Sequence, residues 1–175
     1  MQALTTERLL IRELSIVDAA FMLRLMNAPN WIRFIGDRNV KTISDASNYI
    51  SSRIISSYRT NGFGLYLVTL KNTRKPIGIC GLVKREGLNH PDLGFAILPE
   101  YERMGYASEA ATAVLDYAGN ILRLKQVEGI TTKSNLASVS VLEKAGMHYV
   151  KNIQLPGDDA DFMLFSRILQ TEPLV

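Results

Sequence analysis

The sequence predicts a mixed α/β fold of the α+β kind, one mostly antiparallel sheet with helices on both faces. Three observations carry this prediction. Several apolar runs of strand length are bounded by turn residues, two long stretches repeat apolar residues at helical spacing, and one strand–helix–strand succession implies a parallel crossover. About seven strands are expected. Residues 1–175 read as a single domain, because no internal repeat, low-complexity tract or linker interrupts them.

Each element follows from local chemistry. Leu9 to Leu14 interleaves apolar residues with charges, as a strand does, and Ser15 with Asp18 gives a capping-box-like start to a helix. Phe21, Met22, Leu25 and Met26 recur at helical spacing, and the helix is expected to stop near Asn27, before Pro29. Trp31 to Val40 shows no clean period. Thr42 to Arg59 places Ala46, Tyr49, Ile50, Ile54 and Tyr58 on one helical face, closed by Gly62. Two strands, Gly64 to Leu70 and Ile77 to Val83, flank the polar, proline-containing turn Lys71 to Pro76 and read as an antiparallel hairpin.

The fourth strand, Asp92 to Leu98, is stopped by Pro99. The helix after it is expected to bury Ala107, Ala110, Ala111, Val114, Leu115 and Ala118. Val127 to Thr132 is a fifth strand, parallel to the fourth, and a ligand is expected near the carboxyl ends of this pair. Ala137 to Ala145 forms a short helix that Gly146 ends in a left-handed turn. Met147 to Gln154 and Asp161 to Ile168 close the sheet around Pro156-Gly157-Asp158-Asp159, and the last residues are expected to fray.

Composition narrows the function. With 47% hydrophobic and 21% charged residues the chain suits a soluble globular protein able to bury its own core. A net charge of +3 and a pI near 9.0 favour anionic ligands but are too diffuse to argue for nucleic acid. The single cysteine, Cys80, excludes an internal disulfide framework, and the first residues lack the basic and apolar regions of a secretory signal. No apolar run approaches the roughly 18 residues that span a bilayer. A cytoplasmic protein without membrane contact is the expectation. His90 and His148 have no metal-ligand spacing, so no metal is expected.

The chemistry concentrates where the fourth strand hands over to its helix. Glu102-Arg103-Met104-Gly105-Tyr106-Ala107-Ser108-Glu109 puts glycine and small residues at a helix start, where free backbone N–H groups and the positive helix end suit a pyrophosphate. Arg103 can add a charge-assisted contact. Glycine before a helix also serves as ordinary turn chemistry, and this segment alone leaves both readings open.

Taken with Asp92 to Tyr101, Asn135-Leu136-Ala137-Ser138 and Leu142 to Gly146, that segment resembles the GNAT superfamily of acyl-CoA N-acyltransferases, in order and from about Thr5 to Ile168. Thr6 to Arg12, with Asp18 and Asn27-Ala28-Pro29, is similar to the opening of the branch that holds the ribosomal-protein N-terminal alanine and serine acetyltransferases. The resemblance implies acetyl-CoA as co-substrate. By it, the backbone of Ile97 and Leu98 would pair with the pantetheine arm, and Arg103, Met104, Gly105, Tyr106, Ala107 and Ser108 would wrap the pyrophosphate. The fourth and fifth strands would splay apart to admit the cofactor, Asn135 would hydrogen-bond the arm, and Lys144 would meet phosphate or stay solvated.

Two positions depart from the family's pattern. Glu102 stands where Gln or Arg commonly opens the phosphate loop, and Leu142 where many members carry a tyrosine that protonates the leaving thiolate. Ser138 is the substitute that the resembling branch suggests, with a helix-start serine bonding backbone as the alternative. An α-amino group, with a pKa of about 7.7–8.0, is far more often neutral at pH 7 than a lysine amine near 10.4, and so demands less of a base. Asp92 is the candidate to relay a proton through water, with Glu86 second; alternatively Asp92 merely opens a strand after Pro91. Trp31, Phe34 and Tyr49 are candidates to line the acceptor pocket, or else core residues.

The sequence therefore points to an N-acetyltransferase that moves acetyl from acetyl-CoA to a primary amine by direct attack in a ternary complex. A protein N-terminal amino group is the first acceptor by resemblance. A small amine or antibiotic as acceptor, a non-catalytic acyl-CoA-binding module, and a monomer or a homodimer all remain open. A nucleic-acid binder ranks last.

Overall fold

The computed structural model describes residues 3–169, so the fraying expected of the final residues lies outside the described part. Among the described residues, eight strands form one sheet: β1 (Leu4–Thr5), β2 (Leu9–Glu13), β3 (Leu65–Leu70), β4 (Pro76–Val83), β5 (Asp92–Ile97), β6 (Gln126–Thr132), β7 (His148–Ile153) and β8 (Phe162–Ile168). Their order across the sheet is β1-β2-β3-β4-β5-β6-β8-β7, antiparallel throughout except for β5 beside β6. The expected mostly antiparallel sheet with one parallel crossover is present. The strands expected as fourth and fifth from the sequence are β5 and β6.

The additional strand, β1, has two residues, too few to show any period. It exists because Thr6 closes a tight turn: its N–H donates to the Leu9 carbonyl at 3.0 Å and its hydroxyl accepts from the Leu9 N–H at 2.9 Å.

The helices are α1 (Ala19–Met26), α2 (Pro29–Phe34), α3 (Ile43–Tyr49), α4 (Ser56–Asn61), α5 (Tyr106–Asn120) and α6 (Leu136–Lys144). The helix expected from Ser15 begins as a 3₁₀ turn over Ile16–Asp18. Asp18 is pinned there by the Arg12 guanidinium, at 2.8 and 2.9 Å, and by the Ser15 N–H at 2.9 Å. The stretch without a clean period holds Trp31 to Phe34, the rest of α2, because Pro29 does not only stop α1. It also occupies the first turn of the next helix, where a missing N–H costs nothing. The helix expected over Thr42 to Arg59 is one continuous run from α3 to α4, but Ile50–Ile55 is wound as a π-helix. Gly62, at φ 76°, ends it.

Two apolar cores sit on opposite faces of the sheet. One joins Leu9, Ile11, Tyr66, Val68, Leu82 and Leu93 to the inner face of α5 and to Leu142 and Ala145 at α6. The other packs α1, α2 and α3 against Leu67, Ile79 and Leu98. Of the α5 residues expected inside, Ala110, Ala111, Val114, Leu115 and Ala118 are fully buried. Ala107 is only half-buried, since it lies in the first turn beside the open end of the helix. Among the described residues no helix is long and apolar enough to cross a membrane.

Candidate active site

The distinctive feature of the sheet is a gap. β4 and β5 are paired over six residues on each strand, from Val83↔Asp92 to Gly78↔Ile97, whereas β5 and β6 share one pair, Asp92↔Glu128. That pair lies at the amino ends of both strands, so the two diverge toward their carboxyl ends and leave a slot between them.

Hydrogen-bond parity decides which backbone groups face the slot. Leu98 N–H donates to the Ile77 carbonyl at 2.8 Å, toward β4, and the Pro91 carbonyl accepts from Glu128 N–H at 2.9 Å, toward β6. Because successive peptide groups of a strand point to opposite edges, Phe95 and Ile97 present N–H and C=O to the slot. The expectation for Ile97 agrees with this register. That for Leu98 does not: its N–H is taken by Ile77, its carbonyl accepts from Tyr101 N–H at 2.9 Å, and its side chain is buried. Phe95 lies on the slot-facing edge instead, a position that only the register reveals.

The slot opens toward two helix starts. At α5 the first intrahelical bond runs from Glu109 N–H to the Gly105 carbonyl at 3.0 Å, so Tyr106, Ala107 and Ser108 have no carbonyl within the helix for their N–H groups. No side chain caps this end. Its N-cap is Gly105, at φ 81°, and Arg103 is also left-handed at φ 60°. A left-handed arginine is uncommon, and such turns gather N–H groups into an anion-binding concavity. Met104 and the Arg103 side chain are exposed, and Arg103 has no ion pair among the described residues. Glu102 is turned to α2, accepting from the Asn30 amide at 2.7 Å.

At α6 the Asn135 side chain caps the helix by accepting from Ser138 N–H at 3.2 Å. Its Oδ1 is thereby engaged, and its amide nitrogen has no hydrogen-bond partner among the described residues. The Ser138 hydroxyl has no hydrogen-bond partner among the described residues, so the alternative of a hydroxyl bonded to backbone is not realised. Leu142 is buried against Gly129, where an added Cβ would meet it at 2.8 Å. Lys144 is exposed at the far end of α6, about 13.5 Å from Asn135 at 1.5 Å per residue. It is not drawn to the α5 loop by any described contact.

At the apex of the slot Asp92 is 1% exposed. Its Oδ2 accepts from Arg85 Nε at 2.8 Å; the Ile130 backbone N–H also faces the carboxyl, although Oδ1 makes no hydrogen bond of normal geometry among the described residues. Burial pushes this carboxyl up to about 6, against the charge and hydrogen bond of Arg85, which pull it down. Glu86, the second candidate, is exposed in the loop beyond β4. A cleft of about 350 Å³ opens at this end, with Asn61, Phe63, Arg85, His90 and Pro91 in its wall. A larger one, about 740 Å³, lies away from the slot between the second half of α5 and strands β7 and β8.

The expected acceptor residues divide. Trp31 is 4% exposed and belongs to the core under α1–α3, with its indole N–H unpaired among the described residues. Phe34 and Tyr49 are half-buried, with the Arg33 guanidinium 4.8 Å above the Phe34 ring. Trp31 is therefore a packing residue rather than a lining one, held inward because α2 turns it against the sheet.

Two residues to which the sequence alone assigns no role frame this site. Arg85 is silent in the sequence because its partner lies across a turn, and Arg8 because it reaches the α5 loop from the opposite end of the chain, through Glu109 at 2.7 Å.

Known proteins resemble this chain in sequence or in fold. YkkB of Bacillus subtilis is 35% identical over 95 residues, so that this chain spans only 55% of that relative's length and 53% of its own. The N-acetyltransferase YnaD of the same organism is 28% identical over 82% of this chain and 81% of that protein. Among solved structures, the ribosomal-protein acetyltransferase RimL in complex with coenzyme A superposes with a TM-score of 0.83 at 15% identity, covering 98% of this chain and 100% of that one. Spermidine N-acetyltransferase from Vibrio cholerae, in complex with coenzyme A and spermine, gives 0.77 at 18% identity over 95% and 98%. At such identities the structures show a shared fold. The acetyltransferase (GNAT) domain family matches residues 8–148, most of the chain. The chain belongs to that family, the GNAT acetyltransferases.

Proposed function

We propose that the protein acetylates a primary amine by direct attack on acetyl-CoA held in the β5–β6 slot, and that the acceptor is a protein N-terminal amino group. The observation that carries this reading is the slot itself, whose one edge of unpaired backbone runs from an uncapped helix start to a buried carboxylate. The arrangement supplies an anion seat, hydrogen bonds for an extended arm and a base, in that order along one line.

The co-substrate brings the activated acetyl thioester. Tyr106, Ala107 and Ser108 would bind its pyrophosphate through backbone N–H, with Arg103 adding charge from the exposed rim. Ile97, Phe95 and the Asn135 amide would orient the arm, and a slot-facing β5 N–H would stabilise the oxyanion. As the amine nitrogen forms its bond to the acyl carbon and the carbon–sulfur bond breaks, the amine proton passes through water to Asp92. The Ser138 hydroxyl donates to the departing sulfur. Asp92 is suited to receive that proton, because with a pKa of about 6 it is ionised at pH 7 yet more basic than an ordinary carboxylate. An α-amino acceptor, itself half neutral near pH 8, needs no stronger base.

The fold shared with RimL supports a protein N-terminus, and the fold shared with the spermidine enzyme supports a second reading, a small polyamine. Free-thiol release measured with peptides, their N-terminally formylated counterparts and spermidine separates the two. Turnover with free peptides and none with formylated ones is the expected result. Turnover with spermidine alone would replace the acceptor, and coenzyme binding without turnover would replace the enzyme reading.

Replacing Asp92 by Asn is expected to lower kcat by on the order of 100-fold. The parent's kcat/KM should rise as pH passes about 6, where Asp92 loses its proton, and the variant's should not. The same raised pKa fixes a sign for stability. The stabilisation due to protonated Asp92 is present below about pH 4 and is lost as pH rises to about 6, so thermal melts of Asp92→Asn should be flatter across that window.

A further inference from the structure

Arg8 lies in the tight turn between β1 and β2, 96 positions before Met104 in sequence, yet its guanidinium is committed to the α5 loop. Its Nη1 donates to the Met104 carbonyl at 2.9 Å and its Nε to Glu109 Oε2 at 2.7 Å. Its guanidinium carbon stands 4.5 Å above the centre of the Tyr106 ring, and Nη2 would lie 3.3 Å from a Cβ added at Gly105. One planar group therefore touches the residue before the N-cap and the first and fourth residues of α5, and lies beside the N-cap glycine. Nearly half of its side chain remains open to solvent.

Glu109 explains why such a group is needed. A carboxylate in the first turn stabilises a helix by complementing its dipole, but here it stands beside the N–H groups that would hold a pyrophosphate. Uncompensated, it would repel that ligand. Its Oε1 accepts from the Thr6 hydroxyl at 2.6 Å and from Arg8 N–H at 2.9 Å. Burial raises the Glu109 pKa, and the hydrogen bonds of Thr6 and Arg8 with the Arg8 charge more than reverse that, so the group is ionised and balanced by its neighbour. The Met104 carbonyl, drawn back by Nη1, is likewise kept out of the concavity.

We infer that Arg8 is a positioning residue for the co-substrate: it fixes the Met104–Tyr106 backbone with its N–H groups outward and cancels the Glu109 charge at the pyrophosphate seat. The inference rests on the coenzyme site of the proposed function and adds a residue from outside the loop to it. Coenzyme A titrated calorimetrically into the full chain measures it without requiring turnover or an identified acceptor.

Arg8→Ala is expected to weaken coenzyme A binding on the order of tenfold and to raise the KM for acetyl-CoA with little change in kcat or in the acceptor's KM. Adding Glu109→Gln should recover part of that loss, because the repelling charge leaves with it. Affinity within about twofold of the parent, or a loss that falls on kcat alone, would overturn the inference. Should Arg8→Ala fail to fold, Arg8→Lys keeps the charge but cannot bridge Met104 and Glu109 at once; severalfold weaker binding is then expected, and parent-like binding would overturn the inference. If the parent itself did not bind coenzyme A, the site reading would fall rather than the role of Arg8 alone.

Discussion

The two helices that begin beside the slot solve the same problem in opposite ways. Both α5 and α6 start with backbone N–H groups that lack intrahelical acceptors. At α6 the Asn135 side chain accepts one of them. At α5 Gly105 offers no side chain and none is borrowed. A capped start is finished, and its helix contributes structure. An uncapped start is an unmet demand, tolerable at the surface because water fills it and useful because an anion fills it better. The difference teaches that in this molecule a missing stabilising contact is the more informative one.

The contrast can be broken by installing a cap where there is none. Aspartate accommodates left-handed backbone better than most residues and would bring both an acceptor and a charge to the α5 start. Gly105→Asp is expected to reduce coenzyme A affinity by on the order of 100-fold while changing stability by about 1 kcal/mol or less. Calorimetric titration beside a thermal melt checks this, and parent-like affinity would remove the α5 start from the site. The converse change is milder. Asn135→Ala strips the α6 cap and should cost about 1 kcal/mol, a fall in Tm of roughly 2–4 °C, with only a few-fold loss of affinity from the missing amide. Smallest in structural terms is Ser138→Ala. Its hydroxyl holds nothing among the described residues, so Tm should move by less than about 1 °C while kcat falls on the order of tenfold; an unchanged kcat would remove Ser138 from the mechanism.

The same contrast marks what the sequence could reveal. Gly105 announces itself locally, as a glycine before an alanine-rich helix, whereas Asn135 stood out only through the resemblance, and its capping of α6 was not foreseen because the short helix was expected to start at Ala137. The seven longer strands were legible from their apolar patterns, although Leu4–Thr5 was too short for any. Pro29 misled because one residue can end a helix and begin the next, and the π-helical winding of Ile50–Ile55 leaves the same apolar face as an ordinary helix. Leu98 and Phe95 could not be told apart, since strand parity depends on the partner's register. Arg8 and Arg85 were hidden by distance along the chain, for a charge says nothing of where its partner will be.

The strand order carries a consequence for synthesis. β6 forms one wall of the slot, yet on its β5 side it is held by a single pair, and its other edge is covered by β8 over seven residue pairs from Gln126↔Ile168 to Thr132↔Phe162. Of the eight strands, β8 is the last to leave the ribosome. Until it emerges, the nascent β6 has almost nothing to pair with, while the β2–β5 half of the sheet already has all of its partners. The proposed coenzyme seat thus becomes whole only after Ile168 has emerged, and a chain released before that point would carry the α5 loop without a secured wall opposite it.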